Sequence, residues 1–199
     1  MKEKKDMDIV RQDKKSLEQR ILDAVVDEFN EKGMKFTMDD IAARLRISKK
    51  TIYKVYDNKE QMLHAMVDEG FSAIKREEAA IYEDKEADTA TKIEKIIIAM
   101  PDSLRTVDFR KLQQLKNGYP EIYEYVESRI ESGWEKTISI IQQGMDEGVI
   151  RRVPVPVIKA MVESTIEEFM SRDILVNNDL GYDDALSAMA DILMNGIKS

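Results

Sequence analysis

Apolar residues return at three- and four-residue spacing along nearly the whole chain, and strict alternation persists nowhere over the length of a strand. That period dictates helices with one greasy face each, so the fold class expected is all-α. Four prolines and eight glycines among 199 residues leave few breaks, and the plentiful Glu, Lys, Ile, Met and Ala suit helix interiors. With 43% hydrophobic residues the chain can bury a core, which excludes global disorder.

The residue types exclude several classes of chemistry. There is no cysteine, hence no disulfide framework, thiolate zinc site or cysteine nucleophile. His64 is the only histidine, so paired Glu-x-x-His motifs cannot assemble a di-iron site within one chain. A Ser-His-Asp triad would have to use His64, which lies in a helical stretch with no serine-elbow pattern nearby; a solvent-facing or capping role suits it better than pH sensing. A helical-bundle enzyme lacks a His pair, a Cys nucleophile and a Gly-rich phosphate loop, and Glu163, Glu167 and Glu168 read as a solvated or interface-edge face. The expectation is therefore no enzyme, no cofactor and no metal. The start, MKEKKDMDIVRQDKK, carries charges of both signs and no apolar h-region. The longest apolar run, residues 96–100, is far short of the roughly 20 residues that cross a bilayer. A cytoplasmic protein with no membrane partner is expected.

Breaks in the pattern divide the chain into about nine helices. The first, near residues 14–32, carries the stripe Leu17, Ile21, Leu22, Val25 and Phe29, and Gly33 stops it. Thr37 opens a short helix, 38–45, with a capping-box pattern in which Asp40 replaces the usual Glu. Ser48 can cap another, 49–56, and a long helix runs from Lys59 to about Glu83. After a polar loop, helices are expected near 90–106, 108–117, 120–147, 155–177 and 182–197. Pro101 must kink or divide its helix, whereas Pro120 and Pro156 suit first turns. The domain reading is an N-terminal arm and three-helix head, residues 1–60, then a larger helical body, residues 61–199, joined by the helix at 59–83.

Two short helices joined by a few residues and preceded by a longer one form the layout of a helix-turn-helix unit. The net charge of −8 argues against a nucleic-acid partner until its distribution is considered. Residues 1–60 hold 15 Lys and Arg against 13 Asp and Glu; the remainder holds 16 against 26. Between residues 44 and 59, Arg44, Arg46, Lys49, Lys50, Lys54 and Lys59 face Asp57 alone, and such a local patch governs phosphate contact more than the total does. Projected at about 100° per residue, Ile52, Val55 and Tyr56 share one arc of the second short helix. Lys50, Tyr53 and Lys54 take the opposite arc, with Lys49 and Thr51 on its flanks. That face suits a major groove: lysine reaches guanine acceptors or phosphates, the Thr51 methyl touches thymine, and Tyr53 offers a hydroxyl to phosphate. The helix starts near Thr37 and Lys59 are further phosphate seats. A charged face on a short helix is also what plain solvation produces, so the whole string has to decide.

That string resembles the TetR family of bacterial regulators. Residues 21–29 read ILDAVVDEF, followed by Gly33, FTMDDIA at 36–42, LRISKKTIYKVY at 45–56 and NKEQML at 58–63, all in the family's register. The resemblance implies an N-terminal three-helix helix-turn-helix DNA-binding domain on a larger helical ligand-binding and dimerisation domain. It implies that Thr37 touches phosphate, that residues 49–54, capped by Ser48, form the recognition helix, and that Lys59 clamps the DNA backbone. Four positions depart from the pattern. Arg46 and Lys50 stand where the family commonly has glycine, Val55 replaces an aromatic or histidine, and Tyr56 replaces a phenylalanine. A left-handed residue at Arg46 would cost about 1–2 kcal/mol, which predicts a slightly remodelled turn.

The same resemblance assigns the body. Two amphipathic faces near 155–177 and 182–197 supply the expected homodimer interface, with Met161, Thr165, Phe169, Ala185, Ala188, Met189 and Ile192 as its candidates. Candidate liners of an effector pocket are Met100, Leu104, Phe109, Leu112, Leu115, Tyr119, Tyr123, Trp134, Ile138 and Met161; such a stripe is more often ordinary core. The function implied is a sequence-specific transcriptional regulator, a repressor released from a palindromic double-stranded operator by a small-molecule effector, apolar or cationic in type. An effector-independent DNA-binding protein of the same fold and a helical protein-interaction module are the alternatives.

Overall fold

The computed structural model describes residues 2–105 and 107–197, with side chains from Leu17 on, Arg110 excepted. No strand occurs among the described residues. The helices are α1 (Lys2–Lys32), α2 (Met38–Leu45), α3 (Lys49–Ile52), α4 (Lys59–Glu83), α5 (Thr89–Ile97), α6 (Asp102–Arg105), α7 (Gln113–Gly118), α8 (Pro120–Glu131), α9 (Glu135–Asp146), α10 (Val155–Ser171), α11 (Ile174–Asn177) and α12 (Tyr182–Ile197). Single 3-10 turns occupy Gly33–Lys35 and Phe109–Lys111. The chain divides into two compact units, one up to Asp68 and one from Glu69 on.

The N-terminal unit, the head, is built on α1. Its stripe of Ile21, Leu22, Val25 and Phe29 is buried, together with Phe36, Met38 and Ile41 around α2, Ile52 on α3, and Met62 and Leu63 at the start of α4. Gly33 ends α1 at φ 58°, a conformation that glycine adopts without the Cβ clash other residues suffer. The helix starts earlier than the apolar stripe predicts, at Lys2 instead of near residue 14. No Gly or Pro interrupts those residues, so good intrinsic propensity extends the helix where no periodic face announces it.

In the second unit, the body, α5, α9, α10 and α12 enclose one apolar cluster: Ile93, Ile96 and Ile97 meet Ile140, Ile141 and Met145, with Ile158, Val162, Leu193, Met194 and Ile197 closing it. The helix expected over 120–147 is two. α8 ends at Glu131 and α9 begins at Glu135, with Gly133 at φ 75° between them. Its left-handed backbone favours glycine, and Lys75 lies over it: Nζ donates to the Gly133 carbonyl at 2.7 Å, and a Cβ there would sit 2.7 Å from Cε, near the flexible end of that side chain. The same ammonium holds both oxygens of buried Glu78 at 2.8 Å, whose carboxyl burial pushes upward from its ordinary range. Pro101 divides the stretch 90–106 as anticipated, into α5 and α6.

Close packing of α5 on α9 depends on Gly144. A Cβ there would lie 2.6 Å from Ile93 Cδ1 and 3.3 Å from Ile150 Cγ1. Gly144→Ala is therefore expected to cost about 1–3 kcal/mol by overpacking. Ile93→Val, which removes that Cδ1, should by itself cost about 0.5–1.5 kcal/mol. In the double variant the losses should fall short of additive, a coupling that urea unfolding of the four proteins measures.

Candidate nucleic-acid interface

The head is fastened by charge as well as by its core. Thr37 and Asp40 complete the capping box that the sequence suggests: Asp40 N donates to Thr37 Oγ1 at 3.3 Å, and Thr37 N donates back to Asp40 Oδ2 at 2.7 Å. Asp40 Oδ1 also receives Lys32 Nζ at 2.6 Å, and Lys32 reaches Glu28 at 2.8 Å. Arg44 grips the other Glu28 oxygen through Nε at 2.7 Å and extends to Glu31 and Asp27. An unbroken ionic chain thus ties α1 to both ends of α2. Hydrogen bonds from Lys32 and from the Thr37 hydroxyl and amide hold the Asp40 carboxyl down at about 2. Burial alone would raise Glu28, but Lys32 and Arg44 outweigh it and keep the group below its ordinary value.

α3 follows α2 through a tight turn. Ile47 N donates to Ala42 O at 3.0 Å, closing a Schellman-type end in which Arg46 is left-handed, φ 55° and ψ 41°. The turn is therefore not remodelled to suit Arg46; the non-glycine residue takes the strained conformation. Ser48 caps α3, its Oγ accepting from Thr51 N at 3.1 Å and lying 2.8 Å from Thr51 Oγ1. α-Helical winding lasts only over Lys49–Ile52, shorter than the expected 49–56, and tighter turns continue it: Lys54 N donates to Thr51 O at 3.3 Å and Val55 N to Ile52 O at 2.8 Å. The projected sidedness holds. Ile52 is buried and Val55 and Tyr56 half-buried, while Lys50, Tyr53 and Lys54 are exposed; Lys49 is exposed and Thr51 half-buried on the flanks.

The cations of this surface are not equally available. Lys50 and Lys54 have no hydrogen-bond or ionic partner among the described residues. Lys49 Nζ reaches Asp39 Oδ2 at 2.9 Å across exposed surface, a bond that an incoming phosphate can replace. Two other candidates are engaged within the head. The Thr37 hydroxyl donates to Asp40 Oδ2 at 2.8 Å, so its proton already serves the cap. Lys59 is half-buried and turned inward: Nζ donates to the carbonyls of Met34 at 2.7 Å and Phe36 at 2.6 Å and rests 3.9 Å from the Phe36 ring centroid. Burial lowers its pKa. Its charge locks the loop that leads into α2, which leaves little of it for a DNA backbone.

A buried-backed, lysine-bearing short helix after a capped α2 is the geometry of a helix-turn-helix, and residues 21–66, which contain all of it, match the sequence profile of the bacterial regulatory proteins of the tetR family. The head thus carries the DNA-binding unit of the TetR family. The chain is a DNA-binding transcriptional regulator. Among relatives, an uncharacterized HTH-type transcriptional regulator of Bacillus subtilis (strain 168), YvaF, is 24% identical over 181 residues, which span 91% of this chain and 95% of that protein. Among solved structures, a TetR/AcrR-family regulator from Thermobifida fusca shares the fold with a TM-score of 0.67 at 22% identity, over 91% of this chain and 98% of that one. The regulator FadR from Bacillus subtilis, crystallised with stearoyl-CoA, shares it with a TM-score of 0.58 at 24% identity, over 89% and 95% of the two chains.

The body places the remaining candidates unevenly. Leu112, Leu115 and Tyr123 are buried, and Met100, Leu104, Phe109, Tyr119 and Trp134 are half-buried. Phe109 stacks on Tyr182 at 4.2 Å between centroids, and Phe169 meets the same ring edge-on at 6.4 Å. Ile138 and Met161 do not line this interior: they are 37% and 54% exposed. At ~100° per residue they lie roughly 90° and 110° from the buried faces of α9 and α10. Of the interface candidates, Met161, Ala188 and Ile192 are exposed and Thr165, Phe169 and Met189 half-buried. Ala185 is not available to a partner, being buried at 6%; its short methyl is covered within its own chain. Val157, one turn before Met161 and 52% exposed, extends the same exposed apolar side of α10. Among the described residues no group of three or more His, Asp or Glu is placed to hold a metal ion, and no helix is long and apolar enough to cross a membrane.

The capping box yields two tests. Thr37→Ala should cost about 1 kcal/mol of stability in thermal unfolding, and Thr37→Ser should restore most of it. Asp40 has a folded pKa below its unfolded one, so its contribution is full above the unfolded value of roughly 3.9 and is lost as pH falls through about 2. The stability gap between the parent protein and Asp40→Asn should therefore close across that acid window and stay constant at neutral pH.

Proposed function

We propose that this regulator is a cytoplasmic homodimeric repressor whose two heads grip successive major grooves of a palindromic operator, and which a small molecule bound in the body releases. The observation that bears most weight is the exposed face of Lys50, Tyr53 and Lys54 set against a fully buried Ile52. In this reading residues 49–54 enter the groove, the two free lysines meet guanine edges or phosphates, Tyr53 donates to phosphate, and Thr51 offers its methyl to thymine. Ser48 fixes the entry of the helix, and Lys49 exchanges Asp39 for DNA. Thr37 and Lys59 act from behind, Thr37 by fixing the start of α2, whose amides can face a phosphate, and Lys59 by holding the loop before it.

A single head reads one half-site, so two must be held about 34–36 Å apart along the duplex. Exposed Val157, Met161, Ala188 and Ile192 on α10 and α12 supply an apolar surface that a two-fold mate would cover, forming a four-helix bundle with its own copy. For the effector, the FadR structure with stearoyl-CoA and the aromatic group of Phe109, Phe169 and Tyr182 favour a ligand with a substantial apolar part. Release then requires that the ligand prefer the body conformation in which head spacing no longer fits DNA. The rival, a regulator of the same fold with a filled body and no effector, draws support from the tight seat of Gly144 against Ile93. Thermal-shift screening separates the two, since only the first predicts compounds that raise the melting temperature.

Selection of bound sequences from a random DNA pool should return a palindrome with half-sites about one helical turn apart. On it, Lys50→Ala with Lys54→Ala should lower affinity at least tenfold; unchanged affinity would leave the protein-interaction alternative standing. If about six phosphates are neutralised per dimer, log affinity against log salt should slope near −5. Ile192→Glu should convert the dimer to monomer in sedimentation, and a variant that still sediments as a dimer would defeat the proposed interface.

A further inference from the structure

We propose that Arg46 is a phosphate anchor, a DNA contact made from the turn of the helix-turn-helix and not from either of its helices. It rests on the reading that this face of the head meets DNA, and extends it to a residue outside the recognition helix.

The backbone provides the first observation. Arg46 and Asp179 are the only non-glycine residues with positive φ among those described, and at Arg46 the turn would close as well with glycine, which adopts that conformation freely. The fold imposes the conformation but not the choice of arginine over glycine, and strained positions gather at functional sites. Charge provides the second. Between residues 32 and 59, Lys32, Arg44, Lys49 and Lys59 are all bound to carboxylates or carbonyls. The exposed Arg46 guanidinium has no partner among the described residues, in common with Lys35, Lys50 and Lys54. Its backbone N–H closes the helix end, and among the described residues nothing in the head's bonding uses the side chain. Position is the third: Arg46 stands two residues before the Ser48 cap and four before Lys50, in the turn that delivers α3. A guanidinium there adds its charge to Lys50 and Lys54, and its planar fork fits two phosphate oxygens at once. A contact of this kind positions the head without reading bases.

The test uses the full-length protein and a mixed-sequence duplex, with binding followed by fluorescence anisotropy from about 50 to 200 mM salt. Arg46→Gly should melt at a higher temperature than the parent, because the strain is gone. It should nevertheless bind DNA more weakly, with the salt slope shallower by about 0.9 for each head engaged. The loss should be the same factor on the mixed duplex and on the selected operator, since phosphate carries no sequence. Arg46→Lys, which keeps both charge and strain, should retain the slope and the parent melting temperature. The Lys50→Ala, Lys54→Ala pair is the reference. If that pair flattens the slope and Arg46→Gly does not, Arg46 is no anchor while the DNA-binding face stands. If neither changes it, the face itself is misassigned and the anchor falls with it. An Arg46→Gly protein that melts no higher than the parent overturns the argument from strain.

Discussion

Burial of Ile52 is the constraint on which the reading surface depends. A helix of four residues has no stability of its own, because fixing the first turn costs more than its few hydrogen bonds return. α3 exists because Ile52 is fully buried in the head and because Ser48 satisfies the Thr51 amide at its start. Those two attachments fix the rotation of the segment. With Ile52 inward, Lys50, Tyr53 and Lys54 have nowhere to go but outward. The ionic chain from Arg44 through Glu28 and Lys32 to Asp40 then fixes α2, to which α3 is tied, against α1.

Much of this was legible in the sequence because it is local. The capping box, the stop at Gly33, the sidedness of residues 49–56 and the bounds of α12 all follow from spacing within one or two turns, where side-chain direction is set by the helix itself. The limits of that legibility are tertiary. Nothing in the neighbourhood of Lys59 announces that its ammonium will close on carbonyls of Met34 and Phe36, more than twenty residues back. The break between α8 and α9 was signalled by Ser132 and Gly133, but the bond that Lys75, on a different helix, makes to the Gly133 carbonyl was not. Ile138, Met161 and Ala185 were assigned from apolar character; whether such a residue faces core, solvent or a second chain depends on neighbours that periodicity does not name.

Arg46 is instructive in a different way. The sequence shows that a residue disfavoured in a left-handed turn stands where the turn needs that conformation, and two responses were open: bend the turn or strain the residue. The structure takes the second, because the Ile47 to Ala42 bond and the burial that follows at Ile52 leave the turn no other path. Supersecondary geometry here outranks the preference of one residue, as expected when several contacts depend on the path and one Cβ objects.

The division of the head's basic residues into bonded and unbonded sets has a consequence for how such a regulator can diverge. Lys32, Arg44 and Lys59 are structural members, and altering them disturbs the framework. Among the described residues Lys50 and Lys54 belong to no internal network, so, on the proposed reading of this face as the DNA contact, drift at those positions retargets the protein to a new promoter while the scaffold beneath is inherited unchanged. Gene duplicates of this chain could thus part ways in the sites they occupy long before they part ways in shape.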